Sequence, residues 1–161
     1  MRSTVLAVTL LVLGSGVARA ADAQPCNVLT AADIKAVTGD NVQPLAKGAS
    51  PGAGGCANFK DASGHAYLGV NRHRGAGAYQ IAVSSVPADV YPDRKPVPGL
   101  GDEAVLMKDE TGRLRYLIAR KGDTTVVLFP LTYDKASGGK VQYKISDAQL
   151  RQLGERALAA K

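Results

Sequence analysis

The stretch EAVLMKDETGRLRYLIARKGDTTVVLFPL, Glu103 to Leu131, decides the fold. Three runs rich in β-branched and aromatic residues, Glu103–Lys108, Arg113–Arg120 and Thr124–Leu131, are separated by Asp109-Glu110-Thr111-Gly112 and Lys121-Gly122-Asp123. Each separator is short and carries a glycine able to take a positive φ, so the runs predict a three-stranded antiparallel meander. The last run contains Val126-Val127-Leu128-Phe129, apolar at consecutive positions. A strand apolar on both faces belongs at the centre of a sheet, so this run is expected to be the most central of the three, with helices over one side.

Outward from the meander, two helices are marked by the same device. At Leu29-Thr30-Ala31-Ala32-Asp33-Ile34, Thr30 is the expected N-cap and Asp33 completes a capping box. Leu29 and Ile34 form the hydrophobic staple, and Gly39 supplies the stop. Ile145-Ser146-Asp147-Ala148-Gln149-Leu150 repeats the pattern, and Leu150, Leu153, Ala157 and Leu158 continue one apolar face. A third helix is expected over Ala76–Val86, where Tyr79, Ala82, Val83 and Val86 fall at helical spacing.

Ala66, Leu68 and Val70 alternate with Tyr67, Gly69 and Asn71, the period of a half-buried strand. With Cys56–Lys60 and the turn Asp61-Ala62-Ser63-Gly64 it makes a hairpin. Pro87, Pro92, Pro96 and Pro98 predict an extended connector without regular structure, and Thr132–Lys140 reads as a loop. The expected order is α-β-β-α-β-β-β-α. That is an α+β domain, a mostly antiparallel sheet of about five strands with helices packed on one face.

The N-terminus has the layout of an export signal. Arg2 precedes the apolar run Val5–Leu13, glycines follow, and Ala18-Arg19-Ala20 forms an A-x-A cleavage site. The apolar run is shorter than the roughly 20 residues that cross a bilayer as a helix, so no transmembrane segment is expected. Cleavage after Ala20 leaves residues 21–161 as a single domain in the periplasm or the medium. It also removes Arg2 and Arg19, lowering the formal charge from +6 to +4. The remaining cations are scattered, the densest cluster being Arg72-His73-Arg74, with no clustered basic face, so nucleic-acid binding is not expected.

Cys26 and Cys56 are the two cysteines. An even count in an oxidising compartment favours one disulfide. The loop so closed is worth about 3–4 kcal/mol by chain entropy. Neither His65 nor His73 sits at zinc-site spacing from either cysteine, and the two histidines lie about 26 Å apart along a straight strand, so no metal site is predicted.

The chain resembles a broad group of small exported bacterial proteins, many lipid-anchored, classed as domains of unknown function. The residues carrying the resemblance are Cys26 just before Leu29-Thr30, Cys56 opening the first strand, and Val97-Pro98-Gly99-Leu100-Gly101-Asp102-Glu103-Ala104 entering the meander. The resemblance implies a sheet with helices on one face, a cysteine pair and an envelope location; it implies no reaction. This chain lacks the lipobox of the anchored members and has Ala23-Gln24-Pro25 before Cys26.

The motif loop Pro98, Gly99, Gly101 and Asp102 fits G-x-G-x-x-A on paper. A dinucleotide site needs that loop between a strand and a helix, whereas this one opens a strand with two carboxylates, so it reads as a glycine turn with Asp102 bonded to local amides. No G-x-S-x-G or H-E-x-x-H occurs, and Ala49–Gly55 lacks the Lys-Ser/Thr of a P-loop. The expectation is a non-catalytic binding or interaction module without cofactor, with Tyr67, Arg72, Arg74, Arg113 and Arg115 facing outward as a partner surface. Its partner would be an envelope protein, a cell-wall polymer or an anionic small molecule. The alternatives are a structural or stress-related envelope protein without ligand, or a small hydrolase.

Overall fold

The computed structural model describes residues 28–45, 57–130 and 145–160. The export signal, Cys26 and Cys56, the glycine-rich run at 49–55 and the 132–140 segment lie outside the described residues. The element order is α1 (Ala31–Thr38), β1 (Val42–Pro44), β2 (Ala57–Asp61), β3 (Ala66–Arg74), α2 (Ala78–Ser85), β4 (Asp93–Pro96), β5 (Glu103–Lys108), β6 (Arg115–Lys121), β7 (Thr124–Pro130) and α3 (Asp147–Ala159). The strands form one seven-stranded sheet in the order β1-β2-β3-β7-β6-β5-β4, with every neighbouring pair antiparallel. The fold is α+β, and β7 holds the central position.

Two strands exceed the expected five, and both are edges. β1 ends in Pro44 and β4 in Pro96. Proline cannot donate to a ladder, but an edge strand needs bonds on one side only, so a proline-rich connector can still pair. Asp93–Pro96 pairs with Val105–Lys108, replacing the irregular connector expected there. β6 starts at Arg115 rather than Arg113, because Asp109 Oδ1 accepts the N–H groups of Arg113 and Leu114 and extends the turn.

Both predicted capping boxes form. Thr30 Oγ1 accepts from Asp33 N at 3.1 Å while Asp33 Oδ2 accepts from Thr30 N, and Ser146 and Gln149 do the same for α3. Gly39 ends α1 at φ 81°. Leu29, Ile34, Ile145 and Leu150 are all in the core.

The helices do not share a face. α1 and α3 pack on one side with Leu68, Val70, Leu117, Ala119, Val126 and Leu128. α2 lies on the other, where Ala82 and Val86 meet Met107, Ile118 and Val127. The cause is in β6 and β7: Leu117 and Ile118, like Val126 and Val127, are adjacent buried residues pointing to opposite faces, and each face needs a cover. No helix among the described residues is long and apolar enough to cross a membrane.

Candidate functional site

The expected partner surface does not assemble. Tyr67 is only 1% exposed, and its hydroxyl donates to Asp40 Oδ2 at 2.6 Å. Burial, then the hydrogen bond to that carboxylate, pushes the phenol above its ordinary range. Alternation along β3 placed Tyr67 outward, but the pairing slips at this point. Phe59 opposes Leu68 and Lys60 opposes Ala66, so Tyr67 is the extra residue of a bulge and joins the core beside Leu68.

Arg115 is also buried, 6% exposed. Its Nη1 donates to Asp147 Oδ1 at 2.7 Å and its Nη2 to the carbonyl of Ile145, which fastens the start of α3 to β6. Lys108 Nζ bonds the other oxygen of Asp147. Burial pushes the Asp147 carboxyl up, but the bonds from Lys108 and Arg115 outweigh it and hold the group below the usual carboxylate value. Arg72 is half-buried and donates to the carbonyl of Ala160 at the end of α3. Arg113 and Arg74 are exposed, the first beside the β5–β6 turn and the second at the end of β3. Of the five residues, Arg74 borders the groove between α2 and the sheet.

The motif loop is a packing device. Gly99 and Gly101 take φ values of 76° and 65°, and between them Leu100, 1% exposed, plugs against Gly154 of α3. A Cβ on Gly154 would lie 2.9 Å from Leu117 and 3.3 Å from Leu100, so the glycine is what lets α3 sit this close. Asp102 Oδ2 accepts from Gly122 N at 2.7 Å, and Arg120 bridges Glu103 and the Gly122 carbonyl. Pro98 and its neighbours border a shallow depression of about 380 Å³ beside Tyr79, whose acidic groups are thus already engaged. The loop opens β5 as a glycine turn, but Asp102 bonds the amide of Gly122 in the β6–β7 turn, twenty residues on, and not the local amides expected.

The larger cavity lies on the other side of the sheet. α2 has eight residues and packs on β6 and β7, leaving a groove of about 700 Å³ over β3 and β7. Opposed residues of antiparallel strands share a face, so Gly69 and Phe129, Asn71 and Val127, and His73 and Thr125 form successive rungs of this floor. Gly69 has no side chain, and the Phe129 ring occupies its space: a Cβ there would lie 2.2 Å from two ring atoms. Phe129 stacks on Tyr116 at 5.6 Å, and Tyr116 meets Tyr91 edge-on at 5.1 Å. Ile81, 69% exposed, stands on the α2 wall with Ala82 and Ser85.

Arg94 holds that wall in place. From β4 its guanidinium donates to the carbonyls of Val86 at 2.6 Å and Tyr91 at 3.2 Å, closing the C-terminal end of α2. Sequence reasoning missed Arg94 because it lies in the proline-rich connector. It missed Asn71, Phe129 and Ile81 because the groove exists only once β3 pairs with β7. The one available signal was a glycine inside an apolar strand, which marks a close approach.

His65 and His73 sit at opposite ends of β3; His65 Nδ1 is 3.9 Å from Asp61 Oδ1, in the turn. Among the described residues no serine hydroxyl is hydrogen-bonded to a histidine, and no three His, Cys, Asp or Glu side chains cluster as metal ligands. Compared with known proteins, the chain matches no family model, no curated protein and no solved structure.

Proposed function

We propose that the protein is an exported binding module of the cell envelope, periplasmic or secreted, and that it binds small molecules in the groove between α2 and the sheet. The observation that carries this reading is the groove itself. Its volume of about 700 Å³ falls in the range of roughly 300–1,000 Å³ typical of ligand sites. Its walls are apolar and aromatic with a few polar groups, the usual composition of such sites. The motif loop, Tyr67 and Arg115 are all engaged in holding the fold, whereas among the described residues α2 covers only part of its sheet face. Export rests on the Arg2, Val5–Leu13 and Ala18-Arg19-Ala20 pattern, and a Cys26–Cys56 disulfide on the oxidising compartment.

Native intact mass spectrometry of protein taken from its own envelope tests all three parts. The expected chain starts at Ala21, is two hydrogens light, and carries a small-molecule mass that leaves on denaturation. A chain still bearing residues 1–20, or free thiols, overturns the export argument. A bare chain that also shows no rise in melting temperature across a metabolite panel overturns binding and leaves a structural envelope protein.

A further inference from the structure

We infer that the groove is built for an amphipathic organic anion, an apolar body ending in one carboxylate or phosphate, an inference that rests on the groove being a ligand site. The two ends of the groove differ in chemistry, and the topology separates them. α2 starts just after Arg74 through Gly75 and Gly77, so its N-terminal end stands beside His73 and Arg74. Its C-terminal end is clamped by Arg94, whose register partner Met107 is in turn opposite Tyr116. The helix therefore runs from the His73 end of the floor to the Tyr116–Phe129 end.

At the first end the charged side chain lining the groove is Arg74, beside His73; Glu103, farther along the same rung through Thr125 and Arg120, is paired with Arg120. The Arg74 side chain is exposed and makes no hydrogen bond or ion pair with another described residue, and the side chain of His73 beside it makes none either. α2 begins at Gly77 with no capping side chain, so the positive end of its dipole adds to Arg74 rather than being neutralised. Among the described residues no carboxylate lines the groove; Asp123, whose carbonyl accepts from Gly75 N, lies in the β6–β7 turn with its side chain bonded to Thr124. Toward the other end Val127, Phe129 and Tyr116 offer an apolar floor, while the exposed Ile81 reaches back toward Gly77 on the helix wall. Gly69 under Phe129 and His73 are four residues apart on β3, about 13 Å. A ligand lying along the floor thus meets aromatic carbon first and a cation one short chain length later. Charge complementarity decides the sign of its head group.

The test compares three probes with one body, 4-phenylbutyrate, 4-phenylbutanol and 4-phenylbutylamine, titrated into the full protein and into the double variant His73→Gln/Arg74→Gln. Calorimetry gives the affinities, and melting temperature confirms that two exposed substitutions leave the fold intact. The butyrate should bind at least tenfold more tightly than the amine, weaken as salt rises, and lose about tenfold in the double variant, while the alcohol changes less than twofold. Equal binding of butyrate and amine, or an unchanged butyrate affinity in the variant, overturns the anion inference and leaves the groove as a ligand site. If none of the three binds to either protein, the groove reading fails and takes the anion inference with it.

Discussion

Replacing Gly101 by alanine should destabilise the protein far more than replacing Gly99 or Gly112, although all three have nearly the same backbone angle. Their φ values are 65°, 76° and 66°. An L-residue held in the left-handed region costs about 1–2 kcal/mol, and alanine's smaller unfolded-state entropy returns about 0.4–1 kcal/mol at each site. Those contributions cancel in the comparison. What differs is space. A Cβ at Gly112 meets nothing within 4 Å, and at Gly99 it meets the tip of Arg151 at 3.3 Å, a long side chain that can swing away. At Gly101 it would lie 2.3 Å from the Arg120 carbonyl oxygen and 3.0 Å from Leu158. That carbonyl cannot retreat freely: it belongs to β6 and accepts the N–H of Asp102 at 2.8 Å. Overpacking a rigid contact adds about 1–3 kcal/mol. Gly99→Ala and Gly112→Ala should therefore cost about 1 kcal/mol or less, and Gly101→Ala about 2–4 kcal/mol. At roughly 3 °C per kcal/mol for a chain of this size, the melting temperature of Gly101→Ala should fall by about 6–12 °C. Urea denaturation with a common m-value measures the three differences directly. If Gly101→Ala is as mild as Gly112→Ala, the loop is not packed on β6 and the motif is not a structural lock.

Tyr67→Phe should cost about 1–2 kcal/mol in urea titration, the worth of a hydrogen bond to a partly exposed carboxylate; a variant as stable as the parent would place the hydroxyl in water instead. Acid should destabilise the fold in the window below about pH 4. Asp33, bonded first by Thr30, and Asp147, whose bonds to Lys108 and Arg115 overcome its burial, are held below their ordinary value of 3.8. The unfolded chain therefore takes up protons first, and the stabilisation present above pH 4 is lost as the pH falls through the lower folded values. Asp147→Asn should make the urea midpoint less sensitive to pH between 2 and 5, and an unchanged pH slope would refute the pairing. Gly69→Ala should displace the Phe129 ring, at a cost of about 1–3 kcal/mol, and change near-ultraviolet circular dichroism; an unchanged spectrum and midpoint would mean that the ring does not lie over Gly69.

The sequence by itself determined what is local. Thr30 with Asp33 and Ser146 with Gln149 meet within one helical turn, so both caps were legible residue by residue. The hairpin turns were legible for the same reason, and the doubly apolar run at Val126–Phe129 was enough to put β7 at the centre. What only the tertiary structure decided depends on contacts between distant segments. The pairing of β3 with β7 puts Phe129 over Gly69 and opens the groove, and nothing near either residue announces it. Proline argued against a strand at β4, and nothing in the sequence singled out β1, but an edge needs only one partner, which only the assembled sheet could reveal. Tyr67 and Arg115 looked like surface residues because alternation counts positions, whereas their burial comes from a bulge against β2 and from Asp147 on α3. The side of the sheet that α2 covers followed the same rule: a strand pattern states that both faces are apolar, and only packing assigns a helix to each.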